Sequence, residues 1–184
     1  MTGALPCRFI FLRHGQTDWN ATGRVMGQKD IPLNDTGRAQ AEAASERLLT
    51  LPVTSIWCSP LIRCRATAAP LLARRPDLPD IVLDDLQERN WGVFEGHNED
   101  RRPPRRETPP GGESMAAFTA RIMAALSTIN DCALPLVISH SGVLRVILGH
   151  LGLERDRVAV PNATPLMVVP GARPQARIQH LATE

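Results

Sequence analysis

The stretch FLRHGQTDWN, which spans Phe11–Asn20, joins an apolar run to an arginine, a histidine and a glycine. Residues 8–12 are mostly apolar and are followed closely by Gly15, a pattern typical of a buried strand. A buried strand gains no packing from cations at its end, so the position of Arg13 and His14 calls for a chemical reason. To find that reason, we ask which other segments of the chain come close to Arg13 and His14 in the fold.

Further along the chain, runs with strand-like patterns alternate with runs that have helical spacing. Strands are predicted over residues 53–58, 81–83, 134–139, 165–169 and 176–181. Helices are predicted over residues 36–49, 113–132 and 142–151. A further helix is predicted to have Ser59 as its N-cap and Pro60 as its first residue, and to extend at least to Pro70. This alternation indicates an α/β fold, a three-layer sandwich with a mostly parallel central sheet and helices on both faces. At 184 residues, the chain suits a single domain over residues 1–184.

Several polar side chains follow the predicted strands. In open parallel sheets, ligands bind beyond the carboxyl ends of the strands, where Arg13 and His14 lie. Arg63 falls about one turn into the helix after the second strand, and His140 lies just past the strand over 134–139. Glu88 follows the short strand over 81–83. The topology therefore predicts that two imidazoles, two guanidiniums and one carboxylate converge.

Such a set suits chemistry at a phosphoryl group. Guanidiniums form paired hydrogen bonds with phosphate oxygens, and the amides of a helix N-terminus add donors. A neutral imidazole can attack phosphorus, and neighbouring cations disfavour the protonated form of His14. A carboxyl group can protonate the departing oxygen, which typically contributes on the order of 10²–10⁴-fold. Alternatives remain for Glu88, which could pair with Arg89 at the surface, and whose nearest rivals as the acid are Asp84 and Asp85.

The composition argues against several classes of protein. The formal net charge is +2 and there is no tyrosine, so neither the charge nor the aromatic content favours a nucleic-acid partner. We expect no signal peptide, no membrane span and a cytoplasmic location. The cysteines have no metal-type spacing and read as reduced structural thiols; they are Cys7, Cys58, Cys64 and Cys132. No metal site and no cofactor are expected, because two adjacent guanidiniums would repel a divalent cation and no paired-histidine spacing occurs.

Residues 95–112 form the least regular stretch, EGHNEDRRPPRRETPPGG. Prolines, glycines and clustered arginines are typical of an exposed loop. We expect a solvated connector, since runs of charge usually lie at the surface. The alternative is a mobile basic rim beside an anionic ligand, formed by Arg101, Arg102, Arg105 and Arg106.

Six blocks in order resemble one known family. They read RHGQTDWNATGR, DIPLNDTGRAQA, CSPLIRCRATA, LQERNWGVFEG, PGGES and ISHSG. In this order and spacing they resemble the histidine phosphatase superfamily, also called phosphoglycerate mutase-like proteins. The resemblance runs from about Phe9 to Leu148 and implies the same α/β sandwich.

The resemblance also implies roles for individual residues. It makes His14 the nucleophile that becomes phosphohistidine, and Glu88 the acid that later activates water as a base. The phosphate pocket it implies consists of Arg13, Asn20, Arg63 and His140. Positions that border the substrate by this resemblance are Thr17, Gly27, Ser141 and Gly142. Apart from the resemblance, Trp91 is expected to be a packing residue, with the lining of the substrate pocket as the alternative. Of the remaining polar residues, His97, His150 and His180 are expected to be structural, and Arg65 to face solvent or an ion pair.

Some positions depart from the pattern and bear on the activity. Gln16 stands where many members carry glutamate, and Met26 where many carry glutamine, which affects substrate preference rather than chemistry. Cofactor-dependent mutases of the family usually have a longer insertion before the GES block, so the short loop favours a metal-independent phosphomonoesterase acting on small phosphorylated metabolites. Mutase-type phosphoryl transfer and a non-catalytic phosphate-binding module are the alternatives. Ribazole phosphate, a sugar phosphate, a phosphoglycerate and broad specificity all stay open, as does a homodimer.

Overall fold

The computed structural model of the protein describes Leu5 and residues 8–131, 133–153, 160–171 and 176–181. The strands among these residues are β1 (Phe9–Arg13), β2 (Ser55–Cys58), β3 (Asp80–Val82), β4 (Pro135–Ser139), β5 (Leu166–Val169) and β6 (Arg177–His180). The α-helices are α1 (Asp18–Ala21), α2 (Asp35–Leu49), α3 (Ile62–Arg74), α4 (Met115–Ser127) and α5 (Ser141–His150). Short 3₁₀ turns cover Asp84–Leu86, Gly92–Phe94 and Glu99–Arg101.

The strands form one six-stranded sheet in the order β3-β2-β4-β1-β5-β6. The four strands from β3 to β1 are parallel, whereas β5 runs antiparallel to both of its neighbours, β1 and β6. Arg13 lies opposite Ser139, and Cys58 lies opposite Ile138. The carboxyl ends of β1, β2 and β4 are therefore level, and the residues that follow them meet at one edge. The prediction of a mostly parallel sheet is confirmed.

Apolar side chains lie on both faces of the sheet, because successive residues of a strand point to opposite sides. Phe11 of β1 belongs to the core shared with α4 and α5, where it joins Phe118. Its neighbour Leu12 belongs to the core on the other face, with Leu48 of α2 and Leu71 of α3. This arrangement confirms the predicted three layers.

Two helices differ from the prediction. Helix α4 begins at Met115, because the side chain of Ser114 accepts a hydrogen bond from the Ala117 amide (3.1 Å) and caps it, and it ends at Ser127 rather than at residue 132. Helix α3 begins at Ile62, so Ser59 is not its N-cap. Instead, the carboxylate of Asp30 accepts from the Ile62 amide (2.7 Å). The other boundaries agree within two residues, and the short helix α1 was not predicted.

The cysteine prediction is confirmed where the structure describes the residues. Cys58 and Cys64 are free thiols, and both are buried. Burial raises the pKa of Cys58 to about 12, so it stays protonated at neutral pH. Cys7 and Cys132 lie outside the described residues. Within the described part of the chain, no helix combines the length and apolarity that crossing a membrane requires.

Candidate active site

A small cavity lies at the carboxyl ends of β1, β2 and β4. Its volume of about 60 Å³ is room for roughly four water molecules, so it accommodates a group of a few heavy atoms. The sequence-predicted site residues that line it are Arg13, His14, Asn20, Gly27, Arg63, Glu88, Trp91, His140 and Ser141. We call it the inner cavity. Segments from the first and the last third of the chain thus contribute to one site, as the strand order requires.

His14 is held by main-chain contacts to its ring and to its backbone amide. Its Nδ1 lies 2.7 Å from the carbonyl oxygen of Gly15, and its own amide donates to the Ser139 carbonyl (3.0 Å). A carbonyl can only accept, so Nδ1 must carry the proton and donate it. The lone pair of the neutral ring is therefore on Nε2. Since the side chain is 2% exposed, the orientation of this nitrogen is fixed by packing as well.

Both histidines of the inner cavity are neutral at physiological pH. Burial lowers the pKa of His14 well below its ordinary value of 6.5, and the charges of Arg63 and Arg13 lower it further. Burial and the charge of Arg63 lower the pKa of His140 in the same way. The ring centroids are 5.3 Å apart, so the two imidazoles also disfavour each other's protonation.

Arg63 is fully buried and braces the cavity wall. Its Nη1 donates to the carbonyl of Lys29 (2.8 Å), and its Nη2 donates to the carbonyl of Gly27 (2.7 Å). Its Nε donates to Nδ1 of His140 (3.3 Å). The Nε2 of His140 must then carry the proton, which it directs at the Oγ of Ser59 (2.9 Å). Ser59, expected as a helix cap, therefore orients an imidazole.

Arg13 offers a donor that the protein leaves unused. Its Nη1 donates to the carbonyl of Val160 (2.7 Å). Its Nε is buried, and it donates to no acceptor within the described ranges. Burial lowers the pKa of this guanidinium, but an arginine side chain stays charged at neutral pH. A buried, charged donor at the cavity wall suits an oxyanion.

The carboxylate of Glu88 is held by two backbone amides. Oε1 accepts from the amide of Arg89, and Oε2 accepts from the amide of Gly142, both at 2.9 Å. A Cβ at Gly142 would collide with this carboxylate, so the close approach requires glycine. Gly142 does not line the inner cavity but positions a residue that does. Each carboxylate oxygen can accept two hydrogen bonds, which leaves both able to exchange a proton.

The pairing of Glu88 with Arg89 that the sequence left open does not occur between the side chains. The guanidinium of Arg89 is buried and donates to three loop carbonyls: those of Glu113 (2.9 Å), Arg105 (2.7 Å) and Glu107 (2.6 Å). Arg89 thus anchors the loop over residues 95–112, while only its backbone contacts Glu88.

Thr17 is fully buried and does not line the cavity. Its Oγ1 accepts from the amide of Asn20 (3.2 Å), which caps α1. Its amide donates to the Oδ1 of Asn20 (3.2 Å), and Asn162 adds a longer contact to the same atom (3.4 Å). The Nδ2 group of Asn20 is therefore the donor that this side chain can offer to a ligand. Thr17 contributes to the site by orienting Asn20.

A second, larger cavity adjoins the inner one, and seven residues line both: Arg13, Asn20, Arg24, Glu99, Arg102, Arg105 and Ser141. Its volume is about 350 Å³. The cationic residues that line it are Arg13, Arg24, Arg102, Arg105 and Arg145, and its acidic residue is Glu99. We call it the outer cavity.

The expectation of a solvated connector is wrong for part of the loop. Arg102 and Arg105 are half-buried, and their guanidiniums lie 5.1 and 5.9 Å from the ring centroid of the buried Trp91. They line both cavities. Arg101 and Arg106 are exposed, as expected of a connector. One arginine of each adjacent pair therefore faces the site.

Sequence reasoning missed several residues of the site. Asn162, whose Nδ2 donates to the carbonyl of His14 (2.8 Å), lies in the turn before β5 and belongs to no motif. Arg24 closes the first matched block but has no role attached to it there, and Arg145 lies in a helix of apolar spacing, so no pattern marked either as a site residue. His97 and His150 are exposed and line neither cavity, and the side chain of His180 lies outside the described residues. The described ranges contain no cluster of His, Cys, Asp or Glu side chains that could hold a metal ion.

Comparison with known proteins agrees with this geometry. The sequence pattern of the "Histidine phosphatase superfamily (branch 1)" matches residues 9–168. The chain is 35% identical over 158 residues to a probable phosphatase of Schizosaccharomyces pombe, with 80% of this chain and 75% of the relative covered. It is 34% identical over 154 residues to a probable phosphoglycerate mutase of Photorhabdus laumondii, with 75% and 71% covered.

Among solved structures, a putative alpha-ribazole-5'-P phosphatase from Escherichia coli superposes with a TM-score of 0.81 at 26% identity, covering 97% of each chain. The family match spans the strands and loops that supply the inner cavity. The chain therefore belongs to the histidine phosphatase superfamily, branch 1, and is a phosphatase of that superfamily.

Proposed function

We propose that the protein hydrolyses small phosphomonoesters through a phosphohistidine formed on Nε2 of His14, with Glu88 as the proton donor and acceptor. One observation carries the proposal. The Nδ1 of His14 is tied to the Gly15 carbonyl inside a cavity that Arg13 and Arg63 also line, so the nucleophilic lone pair and the phosphate-binding charges share one small space.

In the first half-reaction, the phosphoryl group of the substrate occupies the inner cavity. The Nε2 lone pair of His14 forms a bond to phosphorus as the bond from phosphorus to the ester oxygen breaks. Protonated Glu88 gives its proton to that oxygen, and the alcohol leaves neutral. The Nδ1–H of His14 keeps its hydrogen bond to the carbonyl of Gly15, and this bond stabilises the positive charge that develops on the ring.

In the second half-reaction, the carboxylate of Glu88 takes a proton from a water molecule. The hydroxide that forms attacks phosphorus, and the bond between phosphorus and Nε2 breaks. Inorganic phosphate leaves, His14 is again neutral and Glu88 is again protonated, so the cycle closes.

The charges of the inner cavity support both steps. Arg13 and Arg63 neutralise the oxygens of the transferred group, and their preorganisation in a buried site makes them more effective than the same groups in water. His140 can donate to one of these oxygens only by turning its Nε2–H from Ser59 to the ligand. Because positive charge is already supplied by guanidiniums, no step requires a metal ion.

The test compares phosphate release by the wild type and by His14→Gln on a panel of sugar phosphates, phosphoglycerates, nucleoside monophosphates and p-nitrophenyl phosphate. We expect hydrolysis by the wild type in the presence of chelator, and a loss of at least about 10⁴-fold in the variant. Wild-type binding of phosphate without turnover of any ester would instead support a non-catalytic phosphate-binding module.

A second candidate function is mutase-type phosphoryl transfer, which the arginines of the outer cavity favour, because a mutase must hold a substrate with a second anionic group. We place it below hydrolysis, since the loop over residues 95–112 leaves an outer cavity of about 350 Å³ beside the phosphoryl site through which water reaches the intermediate. Transfer from bisphosphoglycerate to a phosphoglycerate that is faster than release of inorganic phosphate would reverse this order.

A further inference from the structure

The segment that carries Glu88 has no regular secondary structure of its own. Glu88 lies between two short 3₁₀ turns, Asp84–Leu86 and Gly92–Phe94, in neither a helix nor a strand. The carbonyls of such a segment have no ladder of amides from which to accept, and a buried carbonyl without a donor is costly. Donors must therefore come from side chains elsewhere in the chain, and these side chains decide how firmly the carboxyl group of Glu88 is placed.

One arginine donates to three of these carbonyls. Arg121 lies in α4, and its Nη1 donates to the carbonyls of Asp85 (2.7 Å) and Gln87 (3.1 Å). Its Nη2 donates to the carbonyl of Glu88 itself (3.3 Å). The guanidinium thus spans the segment from residue 85 to residue 88.

The guanidinium of Arg121 is oriented by a carboxylate. Its Nε donates to Oε1 of Glu113 (3.0 Å) and its Nη2 to Oε2 (2.8 Å), the paired geometry that these two groups favour. Together with the three carbonyls, these bonds use all five N–H groups of the guanidinium. The two side chains are only 19% and 16% exposed, so solvent has little access to the pair. The plane of the guanidinium is thereby fixed.

Two further side chains complete the support of the segment. The Oγ of Ser139 donates to the carbonyl of Leu86 (2.7 Å), and Nε2 of Gln28 donates to that of Glu88 (3.2 Å). Each carbonyl from residue 85 to residue 88 therefore has a side-chain donor, and Arg121 serves three of the four. Neither Arg121 nor Glu113 lines the inner or the outer cavity, so an effect on the reaction must pass through the segment that they hold.

We propose that Arg121, oriented by Glu113, is a positioning residue for proton transfer by Glu88. The proposal rests on the role of Glu88 in the proposed function and extends it to two residues outside the cavities. The carboxyl group must lie within hydrogen-bonding distance of the ester oxygen while the bond to phosphorus breaks. A displacement of about 1 Å can cost on the order of 10²-fold in rate, so carbonyls that lose their donors would allow Glu88 to leave the productive position.

The first experiment compares the wild type and Arg121→Gln on two esters that carry one six-membered ring each, benzyl phosphate and p-nitrophenyl phosphate. The value of kcat/KM reports the first half-reaction, in which benzyl alcohol needs a proton in order to leave and p-nitrophenolate does not. We expect the variant to lose about 30- to 100-fold on benzyl phosphate and less than about threefold on p-nitrophenyl phosphate. Equal losses on both esters would mean general damage to the site and would overturn the proposal.

The matched control is Arg38→Gln. Arg38 also pairs with a carboxylate, that of Asp35, and donates to a carbonyl, that of Leu33 (2.8 Å), but it lines neither the inner nor the outer cavity. We expect its kcat/KM to stay within about twofold of the wild type on both esters, since an exposed pair contributes little. A selective loss on benzyl phosphate in this variant too would contradict a specific role of Arg121.

Two conservative variants separate geometry from charge. Arg121→Lys keeps the positive charge, but an ammonium group cannot reach a carboxylate and three carbonyls together, so most of the selective loss should remain. Full recovery would show that only the charge matters and would refute the proposal. Glu113→Gln keeps Arg121 but removes its charged partner, and we expect a selective loss on benzyl phosphate of about three- to tenfold. This milder variant also tests the proposal should Arg121→Gln fail to fold, and an unchanged ratio of the two esters would overturn it.

The double variant Glu88→Gln/Arg121→Gln shows whether Arg121 acts through Glu88. Once residue 88 has no proton to give, loss of Arg121 should remove little more, so kcat/KM for benzyl phosphate should lie within about threefold of that of Glu88→Gln alone. Losses that multiply would show that Arg121 acts independently and would refute the proposal.

Failure of this inference differs from failure of the proposed function. A selective loss on benzyl phosphate in Glu88→Gln that is missing in Arg121→Gln refutes the positioning role alone. If Glu88→Gln itself shows no selective loss, the acid role of Glu88 is wrong and the positioning role is overturned with it.

Discussion

The inner and outer cavities lie side by side and are built in different ways. In the inner cavity, the reacting side chains follow the ends of β1, β3 and β4 or lie at the start of α3, and three of them are fixed by the main chain: His14 by Gly15, Arg63 by Gly27, and Glu88 by Gly142. In the outer cavity, Arg13 comes from β1, but the other cations come from loops and from α5, and two of them rest on a tryptophan. The sheet therefore fixes the reacting groups, while a loop decides what lies beside them. Chemistry and selectivity should respond to different substitutions.

The largest effect on the chemical step is expected from a substitution of Glu88. Glu88→Gln removes the proton that the leaving oxygen needs, so we expect kcat for sugar phosphates and other alkyl esters to fall by about 10²–10⁴-fold. For p-nitrophenyl phosphate, whose leaving group needs no proton, the first half-reaction should fall much less. Burst kinetics of p-nitrophenol release measure that step separately. Equal losses in the first step on both kinds of ester would reject Glu88 as the acid.

Arg63 tests how far the inner cavity depends on buried donors. Arg63→Gln is expected to lower kcat/KM by about 10²–10³-fold, and to reduce the free energy of unfolding by about 3 kcal/mol, because the carbonyls of Gly27 and Lys29 lose their donors. The matched control is Arg65→Gln, two positions along α3, where the guanidinium pairs with Asp80 at 2.7 Å near the surface.

The control should retain activity, and its free energy of unfolding should change by no more than about 1 kcal/mol, since partly exposed ion pairs contribute little. Denaturant unfolding and steady-state kinetics measure both effects. Similar losses in Arg63→Gln and Arg65→Gln would mean that burial of Arg63 has no special role.

The backbone amide of Arg89 contacts Glu88 of the inner cavity, and its guanidinium holds the loop that lines the outer cavity. A change of this side chain should therefore affect substrate binding in the outer cavity more than the chemical step. Arg89→Lys keeps the backbone amide that donates to Glu88, but a lysine cannot reach three carbonyls in the geometry of a guanidinium. We expect KM for the preferred substrate to rise about tenfold while kcat changes by less than about threefold. A loss confined to kcat would place the effect of Arg89 on the chemical step and would remove this distinction between the cavities.

The pH dependence should belong to the inner cavity, because the arginines of the outer cavity stay charged at every accessible pH. His14 and His140 have native pKa values well below 6.5, so the unfolded chain binds more protons than the native one when the pH falls below 6.5. The stability that the two neutral histidines contribute is therefore fully present above that pH and is lost as the pH falls. Between pH 7.5 and 5.5 we expect a loss of about 1.4 kcal/mol for each histidine.

Denaturant unfolding of the wild type and of His140→Gln at both pH values measures this loss. The variant should lose about half of the histidine-dependent part of the pH effect. An unchanged pH dependence would show that His140 is protonated in the native state or titrates alike in both states.

The same contrast explains what could be predicted from the sequence. The inner cavity follows from topology: once residues 8–12 and 134–139 are parallel neighbours, Arg13, His14 and His140 must share an edge. Arg63 and Glu88 follow two further predicted strands to the same edge, and the ordered motifs then added Asn20. Strand pattern and motif order can both be read from one sequence without an alignment.

The outer cavity has no such signal. Which arginine of each adjacent pair faces the site depends on the three hydrogen bonds of Arg89 and on the ring of Trp91, contacts between segments that no periodicity relates. Asn162 reaches the carbonyl of His14 across 148 positions for the same reason. The local pattern around Ser59 is that of a helix cap, but its Oγ instead accepts a hydrogen bond from Nε2 of the distant His140.

The central claim is that the lone pair on Nε2 of His14 attacks phosphorus. Rapid mixing of the wild type with a phosphomonoester, quenching in alkali, and phosphorus NMR of the isolated peptide that contains His14 test it most directly. We expect an acid-labile phosphoryl group on Nε2, formed and lost at rates that account for turnover, and absent in His14→Gln. Phosphate on Nδ1 or on another residue, or turnover without any phosphorylated peptide, would contradict the account.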